Sequence, residues 1–177
     1  MRVFNLIFNY YFLHKNPIKY WQKRGTIIGK NCSIHTSAKL GSEPYLVTIG
    51  NNVRINSNVQ IYTHDGGLWV IRNLYNEYKN VDLFKKVIIG NNVHIGSNAV
   101  IMPGVTIGDN CIIGVGSIVT KNVPDNSVVA GVPARFIENI TEYVEKNKAA
   151  FVNTYGFSQK QKLLELNKYG GEKNEKN

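Results

Sequence analysis

The sequence predicts an all-β protein, a three-sided solenoid of short parallel strands. Aliphatic side chains recur at every sixth position in three runs of the 177-residue chain: Ile28, Ile34, Leu40; Ile49, Ile55, Ile61; and Ile89, Ile95, Ile101, Ile107, Ile113, Val119. An α-helix repeats every 3.6 residues and a strand every two, so neither element explains this spacing. One side of an extended chain must therefore return to the interior once in every six residues, as in a hexapeptide repeat.

A second set of side chains, small or β-branched, lies four residues after the aliphatic ones: Cys32, Ala38, Val53, Val59, Val93, Ala99, Val105, Cys111, Ser117 and Val123. One bulky and one small side chain per repeat would fill a narrow prism at close-packed density. Since both cysteines fall at the small position, we predict that they pack in the core and do not form a disulfide.

One coil of the solenoid takes three repeats, so residues eighteen apart are expected to stack. The motif Ile-Gly-x-Asn begins at positions 28, 49, 89 and 107. The glycine follows a buried aliphatic residue where the chain turns, so we expect it to adopt φ > 0. The asparagines, which also tolerate turn conformations, are predicted to form a ladder along one corner of the prism.

The N-terminal segment, residues 1–24, is predicted to be a helical cap on the solenoid. Residues 3–13 are apolar and aromatic but too few to span a bilayer. The alternative is a membrane-surface segment, because residues 1–24 contain no acid and five basic residues: Arg2, Lys15, Lys19, Lys23 and Arg24. No signal-peptide cleavage site is evident, so we expect a cytoplasmic protein, with the inner face of the membrane as the alternative location.

The β-helix itself is predicted over residues 25–135, with two interruptions. Between Leu40 and Ile49 the spacing is nine residues instead of six, so a slip of three residues, at 42–45, separates the first coil from the second. The spacing from Ile61 to Ile89 is 28 residues instead of six, so 22 residues leave the prism in an excursion at about 63–85. Insertions in repeat proteins gather on the binding face, so we predict the functional site there. Residues 136–177 are expected to form a C-terminal helix and a flexible tail.

His64 is the candidate catalytic residue, because it opens the excursion in the motif Tyr-Thr-His-Asp-Gly-Gly (62–67). Imidazole is the natural proton acceptor near neutral pH. A carboxylate on its other nitrogen would fix the tautomer, and the sequence does not choose between Asp65, Glu77 and Asp82. Asp65 is predicted to be catalytic alongside His64.

Five motifs carry a resemblance to a known family: Val-Thr-Ile-Gly-Asn-Asn-Val (47–53), Thr-His-Asp-Gly-Gly (63–67), the uninterrupted repeat at 87–110, Gly-Val-Gly-Ser-Ile-Val-Thr-Lys-Asn-Val-Pro (114–124) and Ala-Gly-Val-Pro-Ala-Arg (130–135). With them, residues 47–140 resemble the hexapeptide-repeat acyltransferases, especially the galactoside, maltose, nodulation-factor, capsule and lipopolysaccharide O-acetyltransferases. The resemblance implies a left-handed parallel β-helix, a homotrimer with active sites between subunits, and acetyl-CoA as acyl donor.

The same resemblance implies roles for individual residues. His64 matches the family's catalytic histidine, and the positions that contact coenzyme A correspond to Ser97, Gly116, Thr120, Lys121 and Arg135. His94 stands where the galactoside enzymes have a tryptophan that faces the acceptor. We therefore predict that His94, together with Trp69 and Arg72 of the excursion, contacts the substrate.

The sequence thus predicts an acetyl-CoA-dependent acetyltransferase that acts on a sugar hydroxyl of a surface polysaccharide or a lipid-linked glycan. His64 would act as general base, with direct transfer and no acyl-enzyme. N-acetylation of an amino sugar nucleotide is the alternative.

Three other classes are disfavoured. A γ-class carbonic anhydrase has two of its three metal-binding histidines five residues apart, and no such pair exists here, so no metal is predicted. Ice-binding solenoids expose regular Thr or Ser ladders, whereas this outward column reads Ser33, Arg54, His94, Ile112. The net charge of +9 comes without a Lys/Arg run, so no nucleic-acid partner is expected.

Overall fold

The computed structural model describes residues 12–13 and 15–173. Three sheets form the sides of its β-helix, and their strands run parallel except at the last strand of the second sheet. The first sheet contains β1 (Ile27–Ile28), β3 (Val47–Ile49), β6 (Val87–Ile89) and β9 (Thr106–Ile107). The second contains β2 (Ser33–Ile34), β4 (Arg54–Ile55), β7 (His94–Ile95), β10 (Ile112–Ile113), β12 (Ser127–Gly131) and β13 (Ala134–Asn139). The third contains β5 (Gln60–Ile61), β8 (Val100–Ile101) and β11 (Ile118–Val119).

Strand register confirms the eighteen-residue coil. Ile95 stands beside Ile113 in the second sheet, and Ile101 stands beside Val119 in the third. The sixfold aliphatic positions are all buried, most of them with 0 or 1% of their surface exposed. Burial of a side chain of this size stabilises the fold by about 1.5–3 kcal/mol, so the stacked aliphatic columns supply the core.

The two cysteines differ in burial. Cys111 is buried, as predicted, but Cys32 is only half-buried. Cys32 belongs to the first coil, at the open end of the stack, and its Sγ contacts the carbonyl oxygen of Gly50 at 3.1 Å. Both thiols are free.

In the Ile-Gly-x-Asn turns the glycines do not have the positive φ that we expected. The positive φ falls on the asparagines, including Asn52 (57°), Asn92 (54°) and Asn110 (56°). The glycine is needed because adjacent coils approach each other closely at this turn. A Cβ on Gly50 would lie 2.6 Å from the carbonyl oxygen of Gly90 on the next coil. The predicted ladder does form here, since Asn92 Nδ2 donates to Asn110 Oδ1 at 2.9 Å.

The N-terminal cap prediction falls largely on residues 1–11 and 14, outside the described residues, and stays a prediction together with membrane contact. Within the described part, α1 (Pro17–Gln22) begins with a proline, and the Asn16 side chain caps it by accepting from the Lys19 amide. Trp21 is buried against the first coil. None of the described helices has the length and apolar character needed to cross a bilayer.

The C-terminal part begins differently from the helix and flexible tail expected over 136–177. β13 pairs antiparallel with β12 as far as Asn139, because the chain reverses after Gly131 and adds a strand to the second sheet. Helix α3 (Ile140–Asn147) follows. The described residues up to Tyr143 form one compact unit, and those from Val144 to Lys173 form a second one. The second unit contains α4 (Gln159–Lys173), which the sequence had predicted as tail.

Candidate active site

His64 lies at the base of the excursion, where two chain segments meet. It lies three residues after the end of β5 and forms an isolated antiparallel bridge with Phe84. The Asp65 amide donates to the Leu83 carbonyl at 3.0 Å, and the Lys85 amide donates to the Thr63 carbonyl at 2.8 Å. These bonds join the two ends of the excursion, residues 63–65 and 83–85, which together form its neck. They fix the backbone of His64, while 43% of its side chain stays exposed.

A carboxylate from the other interruption of the repeat meets this histidine. Glu43 Oε2 lies 3.2 Å from His64 Nδ1. The same oxygen accepts from Thr63 Oγ1 at 2.7 Å and from Ser42 Oγ at 2.9 Å. Ser42 Oγ is also 3.1 Å from His64 Nδ1. A proton on Nδ1 suits these two oxygens, and this tautomer leaves Nε2 free to accept a proton.

The three-residue slip at 42–45 explains how Glu43 reaches this position. Instead of continuing the repeat, the chain forms a short 3-10 helix at Pro44–Leu46. Gly41 precedes it with φ of +76°, a conformation that favours glycine. A Cβ on Gly41 would lie 2.8 Å from Thr63 Oγ1. The glycine therefore lets the first coil press against the buried Thr63 and hold Glu43 beside the imidazole.

The carboxylate of Glu43 is held in its ionised form. Burial acts to raise its pKa, but hydrogen bonds from Thr63, Ser42 and His64, together with the charge of His64, outweigh burial and lower the pKa. An ionised partner on Nδ1 favours the protonated imidazole that forms when Nε2 accepts a proton. The arrangement therefore suits a general base.

Two of the three carboxylates considered as partners of His64, Asp65 and Asp82, bond to other groups. Asp65 Oδ1 accepts from the Gly67 amide at 2.8 Å and stabilises the turn after the histidine. Asp82 is paired with Arg72, and Glu77 lies in a 3-10 helix of the excursion. The carboxylate in contact with His64 is that of Glu43, which was not among the three candidates, and a catalytic role of Asp65 stays a prediction. The slip in the repeat was the sequence signal that could have found Glu43.

A groove of about 430 Å³ opens beside His64, within the usual range for small-molecule sites. Its walls come from the neck of the excursion and from the turns that follow β8 and β11: Tyr62, His64, Asp65, Gly66, Leu83, Lys85, Met102, Pro103 and Thr120. Thr120 is the predicted cofactor residue that lies in this groove. A thioester bound along it would be adjacent to the imidazole.

The other predicted cofactor residues lie further along the coils. Ser97 and Gly116 are neighbours, since the Gly116 amide donates to the Ser97 carbonyl at 2.9 Å. Gly116 has φ of +68° and open space where a Cβ would be. Lys121 and Arg135 both line a separate groove of about 250 Å³. Their two cations give the groove of Lys121 and Arg135 a positive charge.

The predicted substrate residues are dispersed. His94 lies on β7, paired with Arg54 of β4, and burial, followed by the Arg54 charge, lowers the pKa of His94. Trp69 lies on α2 (Leu68–Leu74) with 72% of its surface exposed. Arg72 donates to the Val81 carbonyl at 2.7 Å and pairs with Asp82. Arg72 thus holds the excursion together, and its predicted contact with substrate finds no support in these bonds.

Comparisons with known proteins agree with this description. Residues 86–121 match the family model described as bacterial transferase hexapeptide (six repeats). The chain is 45% identical over 153 residues to Protein CapG of Staphylococcus aureus, which covers 84% of this chain and 86% of CapG.

Galactoside acetyltransferases are similar in sequence and in structure. Over 101 residues the chain is 50% identical to the galactoside O-acetyltransferase of Escherichia coli strain K12, which covers 56% of this chain and 47% of that protein. The chain thus spans about half the length of that enzyme. A solved galactoside acetyltransferase in complex with coenzyme A matches with a TM-score of 0.59 and 32% identity, over 77% of this chain and 80% of that one.

Proposed function

Because this chain belongs to the hexapeptide-repeat transferase family, we propose that it is an acetyl-CoA-dependent acetyltransferase and that its acceptor is a sugar hydroxyl. The acceptor sugar belongs to a surface polysaccharide or a lipid-linked glycan. The proposal includes the left-handed winding of the β-helix and a homotrimer with active sites between subunits. The galactoside acetyltransferase with bound coenzyme A supports both the donor and the type of acceptor.

The contact between Glu43 Oε2 and His64 Nδ1 at 3.2 Å is the observation that carries the mechanism. His64 Nε2 removes the proton of the acceptor hydroxyl as its oxygen attacks the thioester carbonyl. A bond forms between that oxygen and the acetyl carbon, and the bond from carbon to sulfur breaks. The imidazolium then gives its proton to the thiolate of coenzyme A. General-base catalysis of this kind contributes about 10²–10⁴-fold to the rate.

Glu43 acts on the reaction through His64. Its negative charge stabilises the imidazolium, and its bonds to Ser42 and Thr63 keep the carboxylate in place. Because the proton of Nδ1 is directed at Glu43 and Ser42, the basic nitrogen is the one that remains open. Glu43 is therefore a positioning residue in this proposal.

Direct transfer needs no acyl-enzyme. The surroundings of the two cysteine thiols support a mechanism in which neither thiol is the nucleophile. Cys111 is buried, and burial raises the pKa of its thiol, which disfavours the nucleophilic thiolate. Cys32 contacts backbone carbonyls at the turn of the first coil. Among the residues that line the groove beside His64 there is no cysteine.

The test is an assay of coenzyme A release from acetyl-CoA against neutral sugars, amino sugars and nucleotide sugars, with mass spectrometry of the product. Acetyl transfer to a hydroxyl supports the proposal. Transfer to the amine of an amino sugar nucleotide instead favours the alternative, N-acetylation with the same histidine as base. Absence of transfer to every sugar, with acetyl-CoA bound, would contradict both.

A further inference from the structure

A second groove reaches His64 from the other direction along the β-helix. Its volume is about 400 Å³. It shares Tyr62 and His64 with the groove described above and is otherwise lined by Trp21, Lys39, Gly41, Ser42, Gln60 and Ile61. The imidazole therefore stands between two spaces that are each large enough for a small molecule.

The order of the coils separates these two spaces. The third sheet runs β11-β8-β5, and Lys39 forms a parallel bridge with Gln60 on the other edge of β5. The first groove uses turns after β8 and β11, including Thr120, whereas the second uses the first coil. A thioester in the first groove and an acceptor in the second would both be adjacent to His64.

The two grooves differ in part of their linings, although each is lined by one lysine, Lys85 in the first and Lys39 in the second. Leu83, Met102 and Pro103 line the first groove and suit an acyl thioester. Lys39, Ser42 and Gln60 line the second and can form hydrogen bonds with sugar hydroxyls. Tyr62, whose hydroxyl donates to Gln60 Oε1 at 2.8 Å, lies between them.

The floor of the second groove continues toward α1. Trp21, Gly41 and Ser42 also line an adjoining space of about 420 Å³, together with Tyr20, Arg24, Pro44 and Tyr45. The indole Nε1 of Trp21 is buried and has no hydrogen-bond partner among the described residues. A buried donor without an acceptor is costly, but this nitrogen is not accessible from the groove, so no contact with a ligand is assigned to it.

The charge of this surface is positive. Lys39 has no ion-pair partner within the described part of the chain, and the Arg24 guanidinium stacks over the Tyr20 ring at 4.0 Å. Glu43, which follows the groove residue Ser42 in the chain, is bonded to His64, Ser42 and Thr63. A neutral sugar would leave both cations without a counter-charge.

We propose that the acceptor carries an anionic group, a phosphate or a carboxylate, and that Lys39 binds this group in the second groove. The inference rests on the proposed function, since it assigns the second groove to the acceptor. Lys39 is then a specificity-determining residue that contacts the substrate, with Arg24 available to a longer phosphate-bearing acceptor.

Binding of matched sugars tests the proposal without requiring turnover. Calorimetry would compare galactose, galactose 1-phosphate, UDP-galactose and galacturonic acid on the full chain. The variants are Lys39→Gln, Lys39→Arg and, as a control, Lys30→Gln, since Lys30 is exposed on the same coil and outside both grooves. We expect the charged sugars to bind more tightly than galactose, and Lys39→Gln to weaken them about five- to tenfold, as for one partly exposed charged hydrogen bond.

Lys39→Arg is expected to keep most of the affinity, and Lys30→Gln to resemble the wild type. In the transfer assay, Lys39→Gln should raise KM for the charged sugar and leave KM for acetyl-CoA unchanged. Equal affinity for galactose and its charged forms, or equal effects of Lys39→Gln and Lys30→Gln, would overturn the proposal. Lys39-dependent binding without any acetyl transfer would instead overturn the proposed function and leave the anion site in place.

Discussion

Glu43 Oε2 and His64 Nδ1 lie 3.2 Å apart although 21 residues separate them in the chain. Each residue belongs to an interruption of the sixfold repeat, Glu43 to the slip before the second coil and His64 to the start of the excursion. The two irregularities of this β-helix therefore meet to build its candidate active site.

Replacement of the histidine should abolish catalysis without loss of donor binding. His64→Ala removes the base, so kcat should fall by about 10²–10⁴-fold. The fold should persist, because the side chain is 43% exposed and contributes little to the core. Coenzyme A release and calorimetry with acetyl-CoA measure the two quantities.

His35→Ala is the matched control for this variant. His35 also lies in a turn, with Nδ1 at 2.8 Å from Ser37 Oγ, but it lines neither groove at His64. The His35→Ala variant should therefore have the same kcat as the wild type. Equal activity of His64→Ala and His35→Ala would remove His64 from the mechanism.

Loss of the carboxylate should affect kcat more than KM. Glu43→Gln keeps the shape but removes the negative charge that stabilises the imidazolium. A hydrogen bond to a charged group is worth about 1.5–3 kcal/mol, so kcat should fall by about ten- to hundredfold. KM for acetyl-CoA should stay within twofold or so of the wild-type value. Glu77→Gln, in the excursion, is the control, and a similar loss there would argue against a specific role of Glu43.

Much of this molecule could be predicted from the sequence, because burial follows the sixfold period. Ile89 through Val119 lie at the positions that the period predicts, and the excursion correctly marked the neck that holds His64. Glu43 was missed because its contact joins two irregular segments, where periodicity carries no information. The sequence left Asp65, Glu77 and Asp82 open as partners of His64, whereas the carboxylate in contact with the imidazole is that of Glu43.

Acid should remove the stability that Glu43 contributes. Its pKa is lowered in the folded protein, so the unfolded chain takes up a proton first as pH falls. The contribution is therefore fully present above the unfolded pKa of about 4.5 and is lost as pH falls through the lower, folded value. Thermal unfolding of wild type and Glu43→Gln should differ at pH 7 and converge at low pH. A difference in melting temperature that does not change with pH would contradict this prediction.

The glycine that brings the first coil against Thr63 should tolerate no side chain. Gly41→Ala would place a Cβ 2.8 Å from Thr63 Oγ1 at a residue with φ of +76°. Such strain costs about 1–3 kcal/mol, which denaturant unfolding would measure. Gly66→Ala is the control, because nothing lies within 4 Å of its added Cβ. If both variants unfolded at the same denaturant concentration, close contact at Gly41 would not be needed for stability.

Removal of both thiols should leave acetyl transfer intact. Serine at position 111 can retain the contact that Cys111 Sγ makes with the Pro124 carbonyl at 3.1 Å, and Cys32 is half-buried at a turn. The double variant Cys32→Ser, Cys111→Ser should therefore fold, with a loss of stability of about 1 kcal/mol, and should keep kcat within about twofold because no covalent acyl-enzyme forms. Mass spectrometry of wild-type protein quenched during turnover should detect no acetylated cysteine. A folded double variant without activity, or a cysteine adduct that forms and decays at the rate of turnover, would show that transfer passes through a thiol and not directly to the acceptor at His64.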